Sequence, residues 1–254
     1  MEEMMKRALC VFLASLMFIP ALANEDDEVR IKFLKKQLVQ KGFSANEVER
    51  LFQDKRLKKL QLRPPIAKKI KWSELEGQIL SPESIGRGRD FSSRNHHVLK
   101  TAENNFGVAK EILTGLVRLE TNLGQYLGDH TAINIFYTKL LIAKHWSGPA
   151  ENFVALCAYC RQSRMDYFKI KGSYAGAVGL VQFLPVNFEV YGIDGNGDGM
   201  IDLFDPRDAI PSSANYLVRH GWKKDNLKAL NRYYGDPTSR YAEIILKYAK
   251  ALVR

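Results

Sequence analysis

Apolar positions recur along this chain with the period of a helix far more often than with the alternation of a strand. Ile31, Leu34, Leu38 and Val39 mark one face of a first helix, with Lys32, Lys35 and Lys36 on the other. Ser44-Ala45-Asn46-Glu47 is a capping box that opens a second, short helix carrying Val48, Leu51 and Phe52. Pro64-Pro65 ends any helix that reaches it. Gly86-Arg87-Gly88-Arg89 reads as a loop, after which Ser92 or Ser93 caps a helix to about Asn105. Phe106-Gly107-Val108 separates it from a helix over 109–121, and the period returns over 133–145 and 151–162. Residues 171–184 are rich in Gly and Ala and read as a tight turn feeding a short buried helix. A helix over 208–220 is closed by Gly221, and a last one spans 239–252. Strand signal is weak throughout and no repeat is visible, so the expected class is mainly α.

The N-terminal segment changes the compartment. Lys6 and Arg7 precede an apolar run over 8–19, Pro20 breaks it, and Ala21-Leu22-Ala23 is a small-residue cleavage site. This is the pattern of a secretory leader over 1–23, and the run is shorter than the ~20 apolar residues a spanning helix needs. Cys10 sits inside the run and not at its end, so no lipid anchor is expected. The sequence predicts an exported, soluble, periplasmic protein. Its 254 residues, 46% hydrophobic and 26% charged, suffice for a folded core of one large or two small domains.

The net charge of +10 is concentrated: residues 30–71 hold fourteen Lys or Arg against three acids, a net of +11. The leader nets zero, and the remainder is near neutral. Export removes nucleic acid as the natural partner. The stretch from Arg30 to Lys71 is then either a solvated helical face or a tether to an anionic envelope surface.

Three features carry candidate chemistry. In the helix over 109–121, Ile112, Leu113, Leu116 and Val117 form the apolar stripe, and Glu120 falls on it, four residues after Leu116 and three after Val117. Desolvation there favours the protonated carboxyl, as a general acid requires. Second, residues 194–205 match a twelve-residue calcium loop, with Asp194, Asn196, Asp198, Asp202 and Asp205 as oxygen ligands. Met200 offers its carbonyl, and Gly199 stands where the sharp turn falls. Position 12 departs from the pattern, since Asp205 replaces the usual Glu. One such loop without long flanking helices points to a structural ion. Third, Cys157-Ala158-Tyr159-Cys160 lies within a helical pattern. It lacks the context of a redox motif and the two further ligands a zinc site needs, so buried thiols or a strained disulfide remain open. The five histidines show no metal or triad spacing.

Taken in order, these segments resemble the B-type lytic murein transglycosylases. Leu119-Glu120-Thr121-Asn122-Leu123-Gly124 is similar to that family's catalytic-glutamate motif, and 171–185 to its Gly/Ala-rich cleft motif. The calcium loop follows at the family's spacing. Leu203-Phe204-Asp205-Pro206-Arg207-Asp208-Ala209-Ile210, Ser213-Ala214-Asn215-Tyr216-Leu217, His220-Gly221-Trp222, Arg232-Tyr233-Tyr234 and Tyr241-Ala242 continue the likeness. The resemblance implies a lysozyme-like α+β core over 86–254 with a basic helical lobe over 24–85. It implies Glu120 as catalytic acid and base, and Ser173 and Gln182 as cleft residues that bond substrate or orient Glu120. It also implies Tyr216 and Tyr233 along the sugar subsites, and calcium in the loop. Where the family has Tyr-Asn, this chain has Tyr233-Tyr234, and 235–240 is longer.

The expected activity is cleavage of the β-1,4 bond between N-acetylmuramic acid and N-acetylglucosamine in peptidoglycan, with closure of a 1,6-anhydro ring, by a monomer. Asp129 is close enough in sequence to serve as a second carboxylate, which would suit a hydrolase of the same bond. A non-enzymatic, calcium-stabilised module that docks on the envelope is the third reading.

Overall fold

The computed structural model describes residues 25–62 and 71–253. The leader over 1–23, Cys10 and Pro64-Pro65 lie outside the described residues. Helices dominate: α1 (Glu25–Gln40), α2 (Ala45–Gln53), α3 (Trp72–Ile79), α4 (Pro82–Arg94), α5 (His96–Phe106), α6 (Lys110–Thr121), α7 (Ala132–Ile142), α8 (Ser147–Gln162), α9 (Phe188–Tyr191), α10 (Pro206–Arg219), α11 (Asn226–Tyr234) and α12 (Tyr241–Val253). The described sheet is one antiparallel pair, β1 (His130–Thr131) and β2 (Lys171–Gly172), with His130 opposite Gly172. At Gly128, just before it, φ is +112° and a Cβ would lie 2.1 Å from the Gly172 carbonyl, so only glycine lets the strands close.

α6 is the central element. It packs on α12, α4, α5 and α10, and its buried residues run from Ile112 to Leu119 without a solvent face. Even Arg118 is buried, with Nε donating to Ser84 Oγ at 2.8 Å. Burial lowers its pKa to about 10. One hydrophobic cluster extends from Leu34 in α1 to Ala249 in α12. α1 joins it by packing on α7 and α8, with Leu34 and Leu38 inward and Val39 half exposed.

The capping box holds: Ser44 accepts the Glu47 amide, and the Glu47 side chain returns to the Ser44 amide at 2.7 Å. The expected loop at Gly86–Arg89 is instead the middle of α4. Ser81 caps that helix, with Pro82 at its first position. Its second glycine is a packing device, because a Cβ on Gly88 would lie 2.1 Å from the Tyr248 hydroxyl. Two elements carried no clear signal: α3, only eight residues long, and α11, capped by Asp225.

Cys157 and Cys160 are both buried and free in α8, which resolves their role in favour of core thiols. Burial raises both pKa values. No described helix is long and apolar enough to cross a membrane.

Candidate active site

α6 ends where its last turn meets the Gly/Ala-rich segment. Thr121 Oγ1 donates to the Leu180 carbonyl at 2.9 Å and accepts the Gly124 amide at 3.1 Å, tying the helix end to that segment. Gly179, at φ +80°, lies so close to the Leu203 carbonyl that a Cβ would sit 2.5 Å from it. From the other side, the Tyr233 hydroxyl donates to the Val181 carbonyl at 2.6 Å. Three separate elements are thus fastened to one short stretch of backbone.

Between them lies a cleft of about 350 Å³. Its floor holds Glu120, and its walls include Trp72 and Leu75 from α3, Gln182, Tyr216, Tyr233 and Tyr241. α3, within the stretch the sequence assigned to the N-terminal lobe, is therefore part of the cleft wall. Glu120 is the sole carboxylate among the described lining residues. Burial pushes its pKa from 4.5 up to about 7, and a hydrogen bond from the Tyr241 hydroxyl to Oε1 pulls the other way. Near neutral pH this group can both hold and release a proton. Asp129 lies outside the cleft lining, exposed, and accepts the Tyr126 hydroxyl at 2.8 Å.

Of the predicted cleft residues, Gln182, Tyr216 and Tyr233 line the cavity and Ser173 does not. Ser173 is 2% exposed, and its Oγ accepts the Ala177 amide at 3.2 Å without bonding Glu120. Its place is inside the turn, where it holds Ala175 and Ala177 at the surface. Gln182 sits at φ +49°, a costly conformation for a residue with a Cβ. Its Nε2 donates to the Gly179 carbonyl at 2.9 Å.

Sequence spacing missed several lining residues. His220 stacks on Tyr216 with ring centroids 4.1 Å apart and planes 5° off parallel. Its Nδ1 lies 2.9 Å from the Tyr216 carbonyl, and Nε2 lies 3.3 Å from the Tyr191 hydroxyl. Burial pushes its pKa down, assisted by the charges of Arg232 and Arg219. Tyr234 stacks on Tyr241 at 4.9 Å and meets Trp72 edge-on at 5.7 Å. Past His220 and Arg232 the cleft adjoins a second cavity of about 490 Å³ carrying Arg219, Lys224 and Lys228.

In the loop over 194–205 the first half is shaped by glycines and by carboxylates that accept backbone amides. Gly197 and Gly199 take left-handed conformations at φ +74° and +83°. Asp194 accepts the amides of Gly197 at 2.7 Å and Gly199 at 2.8 Å, and Asp198 accepts that of Met200 at 2.9 Å. Asn196 is held to Asp198 at 2.9 Å. Asp205, expected as the twelfth ligand, is engaged at the start of α10. It caps α10 through the Arg207 amide at 2.8 Å and pairs with the Arg207 guanidinium. Asp202 accepts the Phe204 amide at 2.8 Å. The loop is closed from behind by Asp208, which accepts the amides of Gly195 at 2.9 Å and Asp202 at 2.7 Å. Among the described residues, no three His, Cys, Asp or Glu side chains gather as a metal cluster.

Comparison with known proteins gives this geometry its context. A family model described as "Transglycosylase SLT domain" matches residues 26–233. The membrane-bound lytic murein transglycosylase B of Escherichia coli is 30% identical over 215 residues, 78% of this chain. The chain spans 59% of that relative's length. The soluble lytic transglycosylase SltB1 of Pseudomonas aeruginosa superposes with a TM-score of 0.79 at 23% identity, over 89% of this chain and 98% of that one. The lytic transglycosylase SLT35 of Escherichia coli, solved in complex with calcium, superposes at 0.75 with 21% identity, over 94% and 96% of the two chains.

Proposed function

The chain belongs to the SLT-domain transglycosylase family, and from that premise we propose that it is a lytic transglycosylase acting on the glycan strands of peptidoglycan. The observation that carries this reading is the Glu120 carboxyl, the sole one among the described lining residues, its pKa raised to about 7 on the floor of the cleft. A hydrolase of the usual two-carboxylate kind needs a second carboxyl to activate water or act as nucleophile. Asp129 is absent from the described cleft lining, which favours the one-carboxylate reading.

In the proposed reaction protonated Glu120 gives its proton to the glycosidic oxygen between N-acetylmuramic acid and N-acetylglucosamine, and that bond breaks. Positive charge develops at the muramic C1 in an oxocarbenium-like state. Glu120, now a carboxylate steadied by the Tyr241 hydroxyl, takes the proton of the muramic C6 hydroxyl. The C6 oxygen bonds to C1 and closes the 1,6-anhydro ring, with no water consumed. Tyr216, Tyr233 and Gln182 line the sugar path, and Ser173 acts only by shaping the turn.

Calcium enters as a structural ion. Asp194, Asn196, Asp198 and the Met200 carbonyl are the residues that would hold it, with Asp202 beside them and Asp208 bracing the loop; Asp205 serves α10 instead. The leader supports export to the periplasm, and the chain is read as a monomer. Within the arm, Lys35 pairs with Glu49 at 2.8 Å and Lys41 with Glu189 at 2.6 Å. Cations free of such pairing, among them Lys55, Lys58 and Lys59, are those left to meet an anionic envelope surface.

The test is release of soluble muropeptides from purified sacculi. Wild-type protein should release them, and Glu120→Gln should release less than about one-hundredth as much, as expected for loss of a general acid. Equal release by the two would end the assignment of Glu120.

A further inference from the structure

α3 reaches the cleft with its apolar face: Trp72, Leu75 and Ile79 share one side of the helix and line the cavity. Glu76, four residues after Trp72, stands at the flank of that face. Its carboxylate takes two cations from beyond α3. Arg240 Nη2 donates to Oε2 at 2.5 Å, and Lys247 Nζ donates to Oε1. The Glu76 side chain is 18% exposed, and Arg240 is also tied to Glu243 at 3.2 Å. An isolated exposed ion pair contributes little; a network around one largely covered carboxylate is the exception.

Both cations belong to the part of the chain that touches the acid. Arg240 immediately precedes Tyr241, the first residue of α12, whose hydroxyl donates to Glu120, and Lys247 lies on α12 itself. From α3, Trp72 meets Tyr234 edge-on at 5.7 Å, and Tyr234 stacks on Tyr241 at 4.9 Å. α3 is thus joined to the start of α12 twice, by ring contacts of the cleft lining and by Glu76. The titratable groups that face Glu120 are Tyr233 and Tyr234 from α11 and Tyr241 from α12, all kept neutral by burial. His220 from α10 and Arg232 from α11 share the lining, to which α4 and α5 add no charged group among the described residues.

We propose that Glu76 is a positioning residue of this site: with Arg240 and Lys247 it clamps α3 to the start of α12, and so keeps the wall of Trp72, Leu75 and Ile79 in place and water away from Glu120. The assignment rests on the reading of Glu120 as the acid and adds a residue that sets its surroundings from outside the described lining. The direction of the effect follows from the balance at Glu120. Burial raises its pKa more than the Tyr241 bond lowers it. A wall that yields to water therefore brings the pKa down, even where Tyr241 loosens with it.

The test needs no substrate. As pH rises from 4.5, Glu120→Gln gains stability over its parent and levels off at the folded pKa of Glu120, about 7 in the wild-type background. Thermal melts across pH should place that levelling about one unit lower in the Glu76→Gln background, a 10-fold change in the proton affinity of Glu120. Arg240→Gln should shift it the same way by less, because Lys247 still holds Glu76. These two variants separate a clamp from the direct field of the charges: through space, loss of an anion at 76 and loss of a cation at 240 would move Glu120 in opposite directions. Levelling at or above pH 7 in either background would overturn the proposal. Should Glu76→Gln fail to fold, the sign of the shift in Arg240→Gln decides alone. On sacculi the alkaline limb of muropeptide release should move with the melts. A wild type that releases nothing from sacculi would end the glycan reading, while the melts would still judge the clamp.

Discussion

Glu120 is held in tension between burial and one hydrogen bond. Burial raises its pKa to about 7, so between pH 4.5 and 7 the folded protein binds a proton that the unfolded chain has released. Stability therefore falls as pH rises through that window, by up to about 3 kcal/mol when the shift of 4.5 to about 7 is converted. Glu120→Gln, neutral at every pH, should melt about 5 °C above wild type at pH 8 and lose that advantage at pH 4. A thermal melt at each pH checks this; no difference at pH 8 would mean that the carboxyl is well solvated. The Tyr241 hydroxyl favours the charged form. Its removal in Tyr241→Phe should raise the Glu120 pKa further and move the alkaline limb of the rate profile to higher pH, at a lower maximum. A limb that stays in place would separate Tyr241 from the acid.

Glu120 was legible because helical spacing alone puts it on an apolar stripe. Its companions were not, because each comes from a different element and shows no pattern of its own. His220 and Tyr191 meet only through the packing of α9 on α10, and Trp72 arrives on the eight-residue α3. Gly86–Arg89 was misread because composition cannot distinguish a loop from a helix whose glycine admits the Tyr248 hydroxyl. In the 194–205 loop, position counting chose Asp205, yet the start of α10 claims that side chain as a cap and brings Asp208 inward. A consequence can be measured. Calcium at 100 times its dissociation constant should stabilise the protein by about 2.7 kcal/mol, and chelator should reverse the gain. Asp198→Ala should abolish the calcium-dependent rise in Tm, whereas Asp205→Ala should keep it while lowering the baseline through the lost cap. Loss of the rise in Asp205→Ala would restore that residue to the ligand set.

At the scale of the whole molecule, the longest basic stretch of the sequence, 30–71, contributes no residue to the described cleft lining. The excess over 30–71 is partly spent on internal pairs such as Arg56 with Asp166 at 2.8 Å and on backbone anchoring, with Arg30 Nη1 donating to the Leu140 and Ala143 carbonyls at 2.9 Å. The described part of this arm is thus tied into the fold through Arg30 and Arg56. Arg219, Lys224, Lys228 and Arg232 form a second basic region beside the cleft mouth that a segment-by-segment charge count did not register. At the centre is a cleft with one carboxylate among its described lining residues, and whether that group closes a ring or admits water decides between the proposed lyase and a hydrolase. The most direct measurement is the mass of the muropeptides released from sacculi by the wild-type protein. Products carrying the 1,6-anhydro end, one water lighter than the reducing sugar, are the predicted result. Products that are fully hydrated at that end would contradict the account.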